Sequence, residues 1–91
     1  MASLAENIKD LTHTSAEFLI TDLDLALTFM DIADTSNSAE TGTRNRQNAR
    51  HAYDTVREFL SKLALTASDR QAVESKLAVL KARLKAVGDQ F

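Results

Sequence analysis

Apolar residues crowd the stretch 18–33, FLITDLDLALTFMDIA, over far more than one face of a helix. At 100° per residue the polar positions Thr21, Asp24, Thr28 and Asp31 collect in one arc of roughly 80–100°, and nearly everything else is apolar. An ordinary surface helix needs an apolar stripe of only about 100°, so this pattern predicts cover on two sides. The cover can be two helices of the same chain, or one helix and a second copy of the protein. One residue breaks the pattern: Asp22 falls inside the apolar arc, between Phe29 and Ala33.

A seam with alternating steps of four and three runs Leu4, Ile8, Leu11, Ser15, Phe18, Asp22, Leu25, Phe29 and Ile32. Sustained alternation of this kind is the heptad signature of a long helix lying nearly parallel or antiparallel to another. Ser3 followed by Glu6 matches a capping box and places the helix start near Leu4. Thr12-His13-Thr14-Ser15 interrupts the good helix formers, so two shorter helices are the alternative, but the seam keeps its phase across the interruption and favours one continuous helix.

The run Asp34-Thr35-Ser36-Asn37-Ser38 is the clearest stop, because these side chains compete for backbone hydrogen bonds. Asn37 with Glu40 is placed to cap the next helix, and Gly42 weakens its first turn, so a second helix is expected over about 43–64. Its stripe is Ala49, Ala52, Tyr53, Val56, Phe59, Leu60 and Leu63, wide enough to cover one neighbour. Thr66 with Asp69, or Ser68 with Gln71, begins a third helix over about 67–87 with the seam Val73, Leu77, Leu80, Leu84 and Val87. Gly88 follows a base-rich last turn, the usual place for a helix-ending glycine, and Phe91 is able to fold back.

Short links between long helices dictate antiparallel neighbours. The expectation is one all-α domain over 1–91, an antiparallel three-helix bundle with a long central first helix (about 4–34). On this reading the two later helices cover the wide arc of 18–33. The end bearing Leu4, Ile8 and Leu11 outruns them and is left for a second copy or a partner helix.

Composition agrees with the helical reading: the chain has no Pro, only Gly42 and Gly88 as glycines, and none of the closely spaced turn residues of an all-β domain. No Cys is present, which removes disulfides and thiolate sites and fits a reducing compartment. The first ten residues lack a signal-peptide pattern, and 18–33 is too short and too rich in Asp to span a bilayer. A cytoplasmic protein that does not enter a membrane is the default.

Net charge is −2, but the charges are unevenly placed. Eight acids face the single base Lys9 up to Glu40, whereas ten bases face five acids from Thr41 onward. Complementary helices packed together account for this most simply; a charged docking face is the sharper alternative.

No catalytic, cofactor or metal motif stands out. His13 and His51 have no His or Cys partner at helical spacing, the glycines form no phosphate loop, and no nucleophile–base set can be assembled. An enzyme is the least favoured class, and no cofactor is expected. Arg46, Arg50 and Arg57 align along one flank of the second helix's stripe; with Arg44 they make a basic stripe near Tyr53, and with Lys76, Lys81, Arg83 and Lys85 of the third helix they raise nucleic-acid binding as an alternative. The acidic first helix and slightly negative net charge weigh against it. Asp22, in the seam, is a candidate register-setting acid for an oligomer.

Two family likenesses follow from particular residues. Leu25-Ala26-x-x-Phe29 resembles the large-small-x-x-aromatic signature of the first helix of a tetratricopeptide-type pair, and Ala49-x-x-x-Tyr53-x-x-Val56 resembles that of its second. About eleven extra residues separate the halves, the closing Pro is absent, and there is no second copy of the repeat, which solenoids require. The run NARHAYDTVREFL (48–60) followed by LTASDR (65–70) resembles small helical proteins of bacteria. These likenesses bring no catalytic residues and imply a helical scaffold that binds other proteins. The reading is therefore a small interaction or assembly module that pairs with itself or with a helical partner, with Leu4, Ile8, Leu11, Asp22, Arg46, Arg50, Tyr53 and Arg57 as candidate contacts.

Overall fold

The computed structural model describes residues 4–91, with side chains described from Ser15 onward. Three helices follow one another: α1 (Leu4–Thr35), α2 (Ala39–Lys62) and α3 (Ala67–Ala86). No strand occurs among the described residues. The helix α1 runs unbroken through Thr12-His13-Thr14-Ser15, as the phase of the seam predicts. At 1.5 Å per residue the three helices span about 48, 36 and 30 Å. The links at 36–38 and 63–66 are too short for anything but antiparallel neighbours, and both α2 and α3 pack on α1.

The helix α2 begins four residues earlier than its sequence predicts. Ser38, not Asn37, is the N-cap: its Oγ accepts from Thr41 N–H at 3.2 Å, and its carbonyl accepts the first helical bond from Gly42 N–H at 3.0 Å. Ser36 Oγ in turn accepts from Ser38 N–H at 3.1 Å and fixes the entry. Gly42 does not weaken this turn enough to unwind it, because tertiary packing holds it: the residue is buried on the Ala33 carbonyl.

Thr66 caps α3, accepting from Asp69 N–H at 3.1 Å. At the other end Gly88 adopts φ 96°, and the backbone closes as Gly88 N–H to Lys85 C=O (3.0 Å) and Asp89 N–H to Leu84 C=O (3.0 Å). That pairing is a Schellman motif, and glycine is its natural occupant. Arg70 serves a neighbour as well as its own helix, where it pairs with Glu74 at 3.6 Å. Its guanidinium donates to the Leu60 and Leu63 carbonyls at 3.2 and 3.3 Å, satisfying acceptors at the end of α2 that have no intrahelical donor.

The core lies between the three helices and contains Leu19, Leu23, Ala26 and Met30 of α1, Ala49, Tyr53, Val56 and Leu60 of α2, and Val73, Leu77, Leu80 and Leu84 of α3. Val87, expected in the α3 seam, is exposed because it lies past the last helical turn. The larger correction concerns α1. Its buried seam is Ala16, Leu19, Leu23, Ala26, Met30 and Ala33, not the one containing Phe18, Leu25 and Ile32. The physical reason is size. Ala26 and Ala33 bring small side chains to this seam, and the Ala33 carbonyl lies beside Gly42 of α2. A face of Phe and Leu would hold the two helices apart.

Charge complementarity sets α3 on α1. Lys76 pairs with Asp24, while Arg83 reaches Asp31 and Asp34, each at 2.8 Å, and donates to the Leu27 carbonyl at 3.4 Å. The acidic first helix and the basic third helix thus meet as the charge distribution predicts. These pairs are half-exposed and each contributes at most about 1 kcal/mol, so they orient α3 more than they hold it.

Candidate interaction surface

With α2 and α3 in place, the wide apolar arc of α1 is not fully covered. Phe18 is 67% exposed, Leu25 51% and Ile32 42%, at intervals of seven residues along one line of the helix. Phe29, in the same arc, is half-buried against the core. Two helices of ordinary stripe width therefore leave part of this arc bare, contrary to the expectation from sequence. The reason is again the inner seam: α2 and α3 meet α1 roughly 130° away from the line of Phe18, Leu25 and Ile32.

The bare line lies on the side away from α3. On α1 the residues that reach α3 are Asp24, Asp31 and Asp34, on the opposite side of the buried seam from Phe18 and Leu25. On α2, Tyr53 and Arg50 turn toward the chain end that follows α3, so the opposite flank of the α2 stripe faces away from it. That flank carries Phe59, 52% exposed, with Ala52 and Thr55 half-buried and Asn48 exposed. The exposed apolar side chains of α1 and α2 thus form one surface where a fourth helix would complete a bundle.

The frame of this surface is almost free of charge. Along the α1 edge stand Thr21, Thr28 and Thr35, whose hydroxyls donate back to the carbonyls of Glu17, Asp24 and Asp31 at 3.0–3.1 Å. Along the α2 edge stand Thr55 and Asn48. Beyond them the charges of α2 are paired within the helix, Arg44 with Glu40 at 3.2 Å and Lys62 with Glu58 at 3.0 Å. Asp22 is the charged side chain on the apolar line. It is half-buried and lies at the edge of the core, and among the described residues no polar or charged side chain is fully buried.

The other candidate residues part company. Leu4, Ile8 and Leu11 lie on α1, but their side chains fall outside the described residues. Tyr53 is a core residue, its ring edge-on to Phe91 with centroids 5.0 Å apart. Arg50 is held by the folded-back chain end: it donates to Gln90 C=O at 2.6 Å, pairs with Asp89 and Asp54 at 3.1 Å each, and lies 3.9 Å above the Phe91 ring. Desolvation acts to lower the Arg50 pKa, but the hydrogen bonds to Asp89 and Asp54 outweigh it and the net shift is upward. For Arg83 the hydrogen bond to Asp31 leads, against desolvation and with Asp34 adding, and its pKa also rises. Both guanidinium groups are cationic at neutral pH.

Arg46 is half-buried with its Nε shielded from solvent and without a partner, and Arg57 is exposed. Between α2 and the end of α3 lies an open cleft of about 460 Å³, lined by Arg46, Gln47, His51, Asp54, Leu84 and Asp89 among others. Of its two arginines Arg50 is engaged by Asp54 and Asp89, and with Asp54 and Asp89 also lining it the cleft offers a ligand charges of both signs and no convergent set of groups. Among the described residues no group of three His, Cys, Asp or Glu side chains is placed to hold a metal, and no helix is long and apolar enough to cross a membrane.

The sequence reading missed Phe18, Leu25, Ile32 and Phe59 as exposed contacts. A signal was present: Ala26 and Ala33, seven residues apart, share one line of α1 and bring small side chains to it. With the surface described, comparison with known proteins adds no relative: no family model, curated protein or solved structure matches the chain.

Proposed function

We propose that this protein is a small interaction and assembly module that associates with itself through the apolar surface of α1 and α2. The observation that carries the reading is the row Phe18, Leu25 and Ile32, with Phe59 beside it, exposed on a fold whose own helices leave it uncovered. Scattered apolar residues on a surface mean nothing, but a continuous row along one helix face with a polar rim marks a docking site. Helix-face docking of this type uses side chains at heptad spacing as anchors. The likeness of α1 and α2 to a tetratricopeptide-type pair supports a binding scaffold in the same sense.

The alternative as a nucleic-acid regulator finds less support. Arg50, Arg70, Lys76 and Arg83 are engaged with acids or carbonyls of the chain itself, and Arg46 and Arg57 do not make a stripe without them. A cytoplasmic location remains part of the proposal.

The reading is tested by following backbone amide shifts by NMR as the protein is diluted from millimolar to micromolar. Self-association moves the amides around Phe18, Leu25, Ile32 and Phe59 and leaves the solvent face of α3 unmoved. Spectra independent of concentration, or shifts confined to α3, refute it.

A further inference from the structure

We infer that residues 88–91 are an autoinhibitory strap: they fill a site on α2 and α3 that takes a peptide segment carrying a carboxylate two positions before an aromatic ring. Three groups from two helices converge there. The Arg50 guanidinium pairs with the Asp89 carboxylate at 3.1 Å, donates to Gln90 C=O at 2.6 Å and lies 3.9 Å over the Phe91 ring. The Tyr53 ring meets the Phe91 ring edge-on, with centroids 5.0 Å apart. Lys81 of α3 holds its ammonium 5.2 Å from the centre of the same ring. The receiving side thus reads an acid, a backbone carbonyl and an aromatic ring, in that order.

The receiving groups are fixed by contacts other than those with the strap. Asp54, one turn along α2, holds the other edge of Arg50, its two carboxylate oxygens accepting from Nε at 3.1 and 3.2 Å. Tyr53 is a core residue, 6% exposed, and its ring is set by the packing of the three helices. Groups already fixed lose little freedom on binding, so an emptied site is ready for a second ligand. The strap is held less firmly than the groups that receive it. It turns on Gly88, whose φ is 96° and whose added Cβ would have nothing within 4 Å. Its polar contacts to α2 run through Arg50, and Phe91 stays 46% exposed.

The site lies on the flank of α2 opposite Phe59, so it is separate from the apolar surface of α1 and α2 and does not depend on self-association. One cation–π contact at an exposed position and one half-exposed ion pair favour the closed strap about ten-fold. A ligand has to displace it, and the chain therefore binds about ten-fold more weakly than the same chain with the strap open. The partner is an exposed segment of another protein, with an acid followed two residues later by an aromatic.

Tyr53 is the single tyrosine of the chain, so its ring protons report on the site by NMR. Asp89→Ala combined with Phe91→Ala empties the site, and a blocked Asp-Gln-Phe peptide is titrated into this variant and into the native chain. The emptied protein should shift the Tyr53 signals saturably with a midpoint on the order of 1 mM, and the native chain should bind about ten-fold more weakly. Arg50→Gln in the emptied protein should remove the binding while circular dichroism shows the helices retained. If the double substitution lowers helicity, Phe91→Ala alone takes its place, with the same outcomes. Three results overturn the proposal: no saturable shift in a helical emptied protein up to about 20 mM peptide, equal binding by the native chain, or equal binding of the reversed peptide Phe-Gln-Asp. None of them bears on the concentration dependence that tests self-association.

Discussion

Gly42 offers a sharp test of how closely α1 and α2 approach, because the expected sign is the opposite of what a buried glycine usually gives. A Cβ built at this position stands 3.3 Å from Arg46 Nη1, 3.5 Å from Arg46 Nη2 and 3.6 Å from the Ala33 carbonyl. The tightest neighbour is the far end of a flexible side chain, and the backbone oxygen is at ordinary contact distance. Moving the Arg46 guanidinium outward also lets water reach its Nε, which is shielded and unpartnered. Against this small cost stands the gain in helix propensity, about 0.5–1 kcal/mol for alanine over glycine. Gly42→Ala should therefore stabilise the fold by about 0.5–1 kcal/mol, raising Tm by roughly 2–8 °C for a domain of this size. Gly88→Ala is the contrasting control. Nothing lies within 4 Å of its added Cβ, yet its φ of 96° opposes any side chain, so a loss of about 1–2 kcal/mol is expected. Urea titrations followed by circular dichroism at low protein concentration measure both. Destabilisation of Gly42→Ala by 1 kcal/mol or more would show that the Ala33 carbonyl and Arg46 cannot yield, and that the missing Cβ sets the helix spacing.

Three further substitutions probe separate parts of the fold. Phe91→Ala removes the edge-on contact with Tyr53 and the cation–π contact with Arg50, and should lower urea stability by about 1–2 kcal/mol; no loss would mean that the folded-back chain end contributes nothing. Leu23→Ala opens a cavity at a fully buried position and should cost about 3–5 kcal/mol, whereas a cost below 1 kcal/mol would place Leu23 outside the core. Thr66→Ala deletes the α3 cap and should cost about 1 kcal/mol in the same titration, with Thr66→Ser recovering most of it.

Fold class was legible because it depends on periodicity, caps and stop signals, each local to a few residues. Thr66 and Gly88 did what their chemistry predicts, and α1 runs through Thr12-His13-Thr14-Ser15 although the seam that suggested it is not the buried one. The start of α2 was misplaced because Asn37 and Ser38 are both good caps, and the choice between them depends on where Gly42 packs against α1. The exposed surface was hidden for a related reason. Two heptad seams share α1, one rich in Phe and Leu and one punctuated by alanine, and hydrophobicity alone favours the first. Which seam turns inward depends on the residues that α2 and α3 set against it. That information lies in the pairing of helices, not in any one of them. Tyr53 and Arg50 were drawn away from the surface in the same manner, by a chain end whose return α2 alone does not announce.

The central claim is that the row Phe18, Leu25 and Ile32 is an interface. Mass in solution by sedimentation equilibrium, over a range of about 5 to 500 μM, is the measurement that bears on it. Self-association raises the mass from the 10.0 kDa of one chain toward twice that value, and Leu25→Glu abolishes the rise without loss of helicity or thermal stability. A mass of 10.0 kDa at every concentration, or a dimer that Leu25→Glu leaves intact, would contradict it.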